Sequence, residues 1–224
     1  VWHKTLRSEV DIAKVIEYTN LKPTVTVGEI DQLAADAVRL NLFGICVPPF
    51  WVKRAKRELG NAMVALVTVV GFPMGYQMTE TKVDEAKRAM DNGADEIDWV
   101  WNISAFKTGL PWTKIELAKA SKLIHDQEKI LKVIIETSLL SDEDIILACK
   151  ICSDAGADFV KTSTGYAGEG ATIPHVQLMR QHLPPMVGIK AAGGIKHYKQ
   201  AKDLIAAGAD RIGTSSALSV INIQ

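Results

Sequence analysis

Apolar residues follow two alternating rhythms along this chain. Short, almost continuous runs such as 62–70 give way to longer stretches, such as 27–40, in which apolar positions return every three or four residues. Continuous runs bounded by glycine, proline or polar residues predict strands buried on both faces, and the longer rhythm predicts amphipathic helices. Strands are expected over 13–20, 44–47, 62–70, 95–102, 130–136, within 156–165, and over 186–190 and 211–213. Helices are expected over 27–40, 49–59, 79–91, 112–126, 142–155, 173–182 and 197–206, with a short last one in 217–224. Pro48-Pro49 ends the second strand, and Pro49 is tolerated in a first helical turn because its missing N–H has no helical partner there.

Eight apolar strands alternating with helices predict the α/β class, and the even count favours closure into a (β/α)8 TIM barrel with 1–224 as a single domain. A doubly wound open sheet is the alternative, but no G-x-G-x-x-G follows an early strand. In a barrel the carboxyl ends of the strands carry the chemistry, and Glu17, Asp98, Glu136, Lys161 and Lys190 fall there.

A repeat sharpens that placement. Gly93-Ala94-Asp95, Gly156-Ala157-Asp158 and Gly208-Ala209-Asp210 each follow a helical stretch and precede an apolar run, so each glycine sits where a helix ends. Five residues beyond these glycines stand Asp98, Lys161 and Gly213, which alternation along a strand aims to one side. A single lysine ending an apolar strand can extend its ammonium to solvent. Here two do so, Lys161 and Lys190. Ammonium groups ~5 Å apart at an effective dielectric of ~20 repel by roughly 3 kcal/mol, enough to lower one pKa by about two units. A lysine so treated becomes a neutral nucleophile.

Charge and cysteine usage narrow the function classes. Lys+Arg and Asp+Glu both number 26, so there is no net field to attract nucleic acid or an anionic membrane. No apolar run approaches the ~18 residues of a membrane span, and the first residues do not resemble a signal peptide, so a soluble, cytoplasmic protein is expected. Three cysteines fit a reducing compartment; Cys149 and Cys152 match C-x-x-C but lie in a helical stretch with no second pair, and Cys46 reads as a small buried hydrophobe. The five histidines show no metal-ligand spacing, so neither metal nor cofactor is expected. Gly193-Gly194 and Gly213-Thr214-Ser215-Ser216 follow the last two strands, where many barrels bind phosphate through backbone amides, with Lys196 as a charge partner.

Five segments now coincide with a known pattern: Asp95 to Asp98, Lys132 to Thr137, Val160 to Gly165, Gly188 to Ile195 and Arg211 to Ser216. Together, in this order, they resemble the 2-deoxyribose-5-phosphate aldolase family from about Ile16 to Ser216. The resemblance implies a metal-free class I aldolase on a (β/α)8 barrel, interconverting 2-deoxy-D-ribose 5-phosphate with D-glyceraldehyde 3-phosphate and acetaldehyde. It implies Lys161 as the Schiff-base lysine, Lys190 as the group that tunes it, and Asp98 as the proton shuttle. Gly165, Gly193, Gly194, Ser215 and Ser216 match phosphate-contacting positions; Thr19, Glu17, Glu136 and Lys196 are expected to support the site. Glu136 is read either as a partner that positions a lysine or as a general acid.

Several residues depart from the family pattern. Glu17 stands where aspartate is usual, Trp99 and Trp101 where smaller apolar residues are preferred, Pro48 where asparagine is common and His197 where threonine is usual. If Asp98 points inward, both tryptophans point outward, into the helix layer or a subunit contact. Tyr166 is expected at the edge of the substrate, and a homodimer is expected from the resemblance and the five tryptophans. Other readings stay open: an aldolase, divergent or altered, acting on unphosphorylated aldehydes; a phosphate-binding barrel isomerase or synthase using acid–base chemistry; or a non-catalytic barrel.

Overall fold

The computed structural model describes residues 10–221. Eight parallel strands, β1 (Ile16–Thr19), β2 (Gly44–Val47), β3 (Ala65–Val70), β4 (Glu96–Val100), β5 (Ile130–Ile134), β6 (Phe159–Lys161), β7 (Gly188–Ala192) and β8 (Arg211–Thr214), pair in sequence order. β8 pairs with β1, closing the barrel. Around it run α1 (Val27–Arg39), α2 (Val52–Leu59), α3 (Thr79–Asp91), α4 (Ile103–Lys107), α5 (Trp112–His125), α6 (Asp142–Asp154), α7 (Ile173–His182), α8 (Tyr198–Ala207) and α9 (Ala217–Ile221). This is the (β/α)8 architecture that the alternating rhythms predict.

The differences from the sequence reading have local causes. The strand expected over 13–20 starts only at Ile16, because Asp11 caps a 3-10 turn over Ile12–Val15 by accepting from the Ala13 amide. The strand expected over 130–136 stops at Ile134, since Glu136 adopts a left-handed conformation with φ 55°. The strand expected over 186–190 begins and ends two residues later, at Gly188–Ala192. Helix α4, absent from the sequence reading, is started by Asn102, whose side chain accepts from the Ala105 amide.

The Gly-Ala-Asp repeat serves as a joint. Gly93, Gly156 and Gly208 take φ of 105°, 84° and 129°, just beyond α3, α6 and α8, a region that side-chain-bearing residues rarely enter. Each following aspartate then accepts from an amide in the neighbouring preceding strand: Asp95 from Leu66 at 3.0 Å, Asp158 from Leu131 at 2.8 Å and Asp210 from Ile189 at 2.9 Å. One tripeptide thus stops the helix and anchors the entering strand to its neighbour.

Outward-facing strand residues such as Ile45, Leu66, Ile97, Val133, Val160, Ile189 and Ile212 pack with the helices into one apolar layer. Burial of that layer is the main stabilising term of the fold. Inside the barrel, Cys46, Val67 and Val69 form a separate small apolar cluster. Much of the remaining interior is charged.

Candidate active site

Strand alternation places Glu17 on β1, Glu96 and Asp98 on β4, Lys132 on β5, Lys161 on β6 and Lys190 on β7, all buried. They are three carboxylates and three amines. Buried charges persist only when paired, and these pair with one another. Asp98 is the hub: Lys161 donates to its Oδ2 at 2.8 Å, Lys190 to the same oxygen at 2.7 Å, and Lys132 to Oδ1 at 3.0 Å. Lys190 also donates to Glu17, while Lys132 lies 2.5 Å from Glu96 and 3.5 Å from Glu17.

The electrostatics follow from this wiring. Burial opposes ionisation of Asp98, yet the three lysines hold its carboxyl well below the usual carboxylate range. Burial likewise opposes the charge on Lys190, but Asp98 and Glu17 outweigh it and raise its pKa, so Lys190 stays a cation. Lys132 is raised in the same way by Asp98, Glu17 and Glu96 against the cost of burial. Glu96 is raised, chiefly by burial. The expected pair of repelling lysines is therefore incomplete as a description: a shared carboxylate oxygen sits between the two ammonium groups and offsets their repulsion.

Asp98, Lys161, Lys190 and Glu17 converge as expected. Gly213 faces the same space, since a Cβ added there would lie 3.1 Å from Lys190 Cε. Glu136 does not position a lysine as expected: among the described residues it bonds none, and its Oε2 instead accepts from the Thr164 amide at 3.0 Å and from the Thr164 hydroxyl. It clamps the loop after β6. Lys132, which carries no expected role in the sequence, is marked there as a lone lysine within an apolar strand, and its register sets it opposite Asp98.

Above the hub opens a cavity of about 460 Å³ lined by Lys161, Thr19, Tyr166, Gly165, Gly193, Gly194, Lys196 and Ser215. The Thr214 hydroxyl donates to the Ile195 carbonyl at 2.6 Å, tying together the loops after β7 and β8. Ser216 is placed differently from the other expected phosphate contacts: its amide donates to Thr214 Oγ1 at 2.9 Å, and it is not part of the cavity wall. Tyr166 sits at the cavity edge, as expected.

Other expectations resolve by burial. Trp99 and Trp101 point away from Asp98 into buried surroundings, where Trp99 donates to Glu116 on α5 at 3.0 Å and Trp101 to the Ile135 carbonyl at 3.1 Å. Neither is a subunit contact. Trp51 is half-buried and Trp112 exposed, while Trp2 lies outside the described residues, so the tryptophans give little support to a dimer. Cys46, Cys149 and Cys152 are all buried thiols; burial pushes Cys46 up to about 11, Cys149 up to about 12 and Cys152 well above its ordinary value. His197 caps α8 together with Gln200.

A buried lysine opening on a cavity and sharing a carboxylate with a second buried lysine is suited to carbonyl chemistry. Residues 7–220 match the model of the DeoC/LacD family aldolases. The chain belongs to that family. It is 46% identical over 215 residues to a deoxyribose-phosphate aldolase of Thermococcus gammatolerans, covering 95% of this chain and 96% of the relative. Among solved structures, an aldolase named QR15 superposes with a TM-score of 0.90 at 39% identity, covering 95% of both chains. The deoxyribose phosphate aldolase from Aeropyrum pernix, described as a tetramer, superposes with a TM-score of 0.86 at 33% identity over 94% of this chain and 89% of its own. The aldolase fold, the family and the lyase class therefore agree with the sequence-based expectation. No helix among the described residues is long and apolar enough to cross a membrane.

Proposed function

We propose that this family member is a class I deoxyribose-phosphate aldolase, with 2-deoxy-D-ribose 5-phosphate as substrate and Lys161 as the nucleophile. The reading is carried by one observation: Lys161 lines the mouth cavity while its Nζ shares an Asp98 oxygen with the fully buried cation Lys190.

The reaction follows from that arrangement. Lys161 first gives up a proton; the resulting neutral amine adds to C1 of the open-chain sugar, water leaves, and a protonated imine forms. The C3 hydroxyl then gives up its proton and the C2–C3 bond breaks, its electron pair flowing toward the imine nitrogen. D-glyceraldehyde 3-phosphate departs and an enamine remains. Protonation at C2 and addition of water release acetaldehyde and restore the amine. Asp98 lies one hydrogen bond from the reacting nitrogen and is the group placed to take and return these protons. Lys190 stays charged and orients Asp98 through their shared hydrogen bond. Glu17 braces Lys190 from the far side.

Gly165, Gly193, Gly194, Lys196 and Ser215 line the same cavity and supply backbone approach and positive charge for the phosphate. Ser216 is assigned a supporting role, through its bond to Thr214. A homo-oligomer, a cytoplasmic setting and a single domain over 1–224 belong to the same reading; the first is supported by the tetramer of the Aeropyrum relative.

Borohydride reduction with 2-deoxyribose 5-phosphate or acetaldehyde is the test. The expected result is an adduct mapped to Lys161 that is absent from Lys161→Leu. A folded protein that binds inorganic phosphate yet traps no aldehyde would remove the aldolase reading.

A further inference from the structure

The loop that follows β6 contributes Thr164, Gly165 and Tyr166 to the cavity wall and is fixed at both ends. At its start, Glu136 accepts from the Thr164 amide and hydroxyl, and Thr164 Oγ1 in turn accepts from the Tyr166 amide at 3.1 Å. Glu136 does this from a left-handed backbone conformation, φ 55° and ψ 71°, which a non-glycine residue adopts at some energetic cost. At the loop's far end, Ala171 donates to the Ala192 and Gly193 carbonyls at 3.0 and 3.2 Å. Backbone meets backbone there, since a Cβ on Gly170 would stand 2.1 Å from the Gly193 oxygen. Ser138 holds the middle by donating to the Ala167 carbonyl at 3.1 Å.

From this anchored loop the Tyr166 side chain reaches across to two others. Its hydroxyl donates to the Leu21 carbonyl at 2.9 Å, in the loop after β1. Its ring meets Phe72, in the loop after β3, edge to face with centroids 5.4 Å apart. Tyr166 is half exposed, yet it forms part of the wall of the cavity that contains Lys161. A half-exposed tyrosine fixed at hydroxyl, ring and backbone amide acts as a crossbar.

We infer that Tyr166 is a specificity-determining residue, a crossbar set by the Glu136–Thr164 clamp that limits the length of the acceptor aldehyde. The inference rests on the aldolase reading and deepens it. Lys161 binds the two-carbon donor, so an acceptor extends from it along the cavity wall. Tyr166 and Leu21 belong to that wall, and Phe72 backs the Tyr166 ring. A long unphosphorylated chain must displace the ring, and the ring cannot move without losing both the Leu21 bond and the Phe72 contact. Glu136 is a positioning residue in this device, acting through Thr164.

The test compares propanal with hexanal as acceptors, with acetaldehyde as donor, in wild type, Tyr166→Phe, Tyr166→Ala and Glu136→Gln. Borohydride trapping of acetaldehyde is run on every variant. Apolar pockets discriminate about tenfold or more per methylene. The hexanal-to-propanal ratio of kcat/KM is therefore expected to rise about tenfold in Tyr166→Ala, and about threefold in Tyr166→Phe, which keeps the ring but loses a hydrogen bond of ordinary strength. Glu136→Gln, which removes the charge accepting both Thr164 donors, is expected to move the ratio in the same direction. Should Tyr166→Ala fail to fold, Tyr166→Phe alone decides. Unchanged ratios in variants that still trap acetaldehyde on Lys161 would overturn the crossbar. A wild type that traps nothing would instead overturn the aldolase reading.

Discussion

Asp98 shows how much one side chain can be asked to do. It has two oxygens and receives three ammonium donors, and the three lysines hold its charge in place against burial. A carboxylate so strongly held is a weak base at rest; in the proposed mechanism it becomes a stronger one when the Lys161 nitrogen loses its positive charge, as it does in the enamine. The residue that sets this balance is Lys190, which remains a cation and contacts the same oxygen as Lys161. Replacing Lys190→Met removes that cation and leaves Glu17 and Asp98 with one donor fewer. The expected outcome is a loss in kcat of about 10²-fold or more near pH 7. An unchanged kcat near pH 7 in a folded Lys190→Met protein would show that Lys190 acts only through packing.

Strand β4 is the element on which the site depends most. Its inner face carries Glu96 and Asp98, while its outer face carries Trp99, whose indole donates to Glu116 on α5. Glu116 Oε1 also accepts from Lys82 on α3 at 2.9 Å, and Lys82 donates to the Val100 carbonyl at 2.9 Å. Lys82 is fully buried; burial lowers its pKa and Glu116 counters that shift. Breaking such a pair from one side leaves an uncompensated buried charge and costs about 3–5 kcal/mol, whereas removing both partners costs less. Glu116→Leu is therefore expected to lower stability by about that amount, and adding Lys82→Met should recover about 1 kcal/mol or more. Urea unfolding of the single and double variants measures this directly. A double variant less stable than Glu116→Leu would mean that Lys82 is held by the Val100 carbonyl and not by its charge partner.

At the scale of the whole molecule, the buried cations and thiols make stability depend on pH on the alkaline side. In Lys190, Lys132, Cys46, Cys149 and Cys152 the folded-state pKa is raised. Unfolded cysteine and lysine release their protons near pH ~8.5 and ~10.4, so above those values the folded chain holds protons that the unfolded chain has lost. More protons bound in the folded state means that unfolding becomes easier as pH rises. Lys82, lowered by burial, works the other way but is a single group. The urea midpoint is expected to be highest below about pH 8.5 and to fall steadily toward pH 11; a flat midpoint across that range would contradict the buried network. Much of this molecule was legible in its sequence. Period and punctuation set eight strands and their helices, and the Gly-Ala-Asp repeat aimed Asp98, Lys161 and Gly213 inward, because alternation and helix termination are local properties of the backbone. What needed the tertiary structure were contacts between residues distant in sequence. Lys132 joins the site because β5 is registered against β4, and Glu136 clamps Thr164 because its backbone turns left-handed where a strand was expected. Tyr166 crosses to Leu21 only after the barrel closes, since loops far apart along the chain meet at one mouth only when all eight strands are in register.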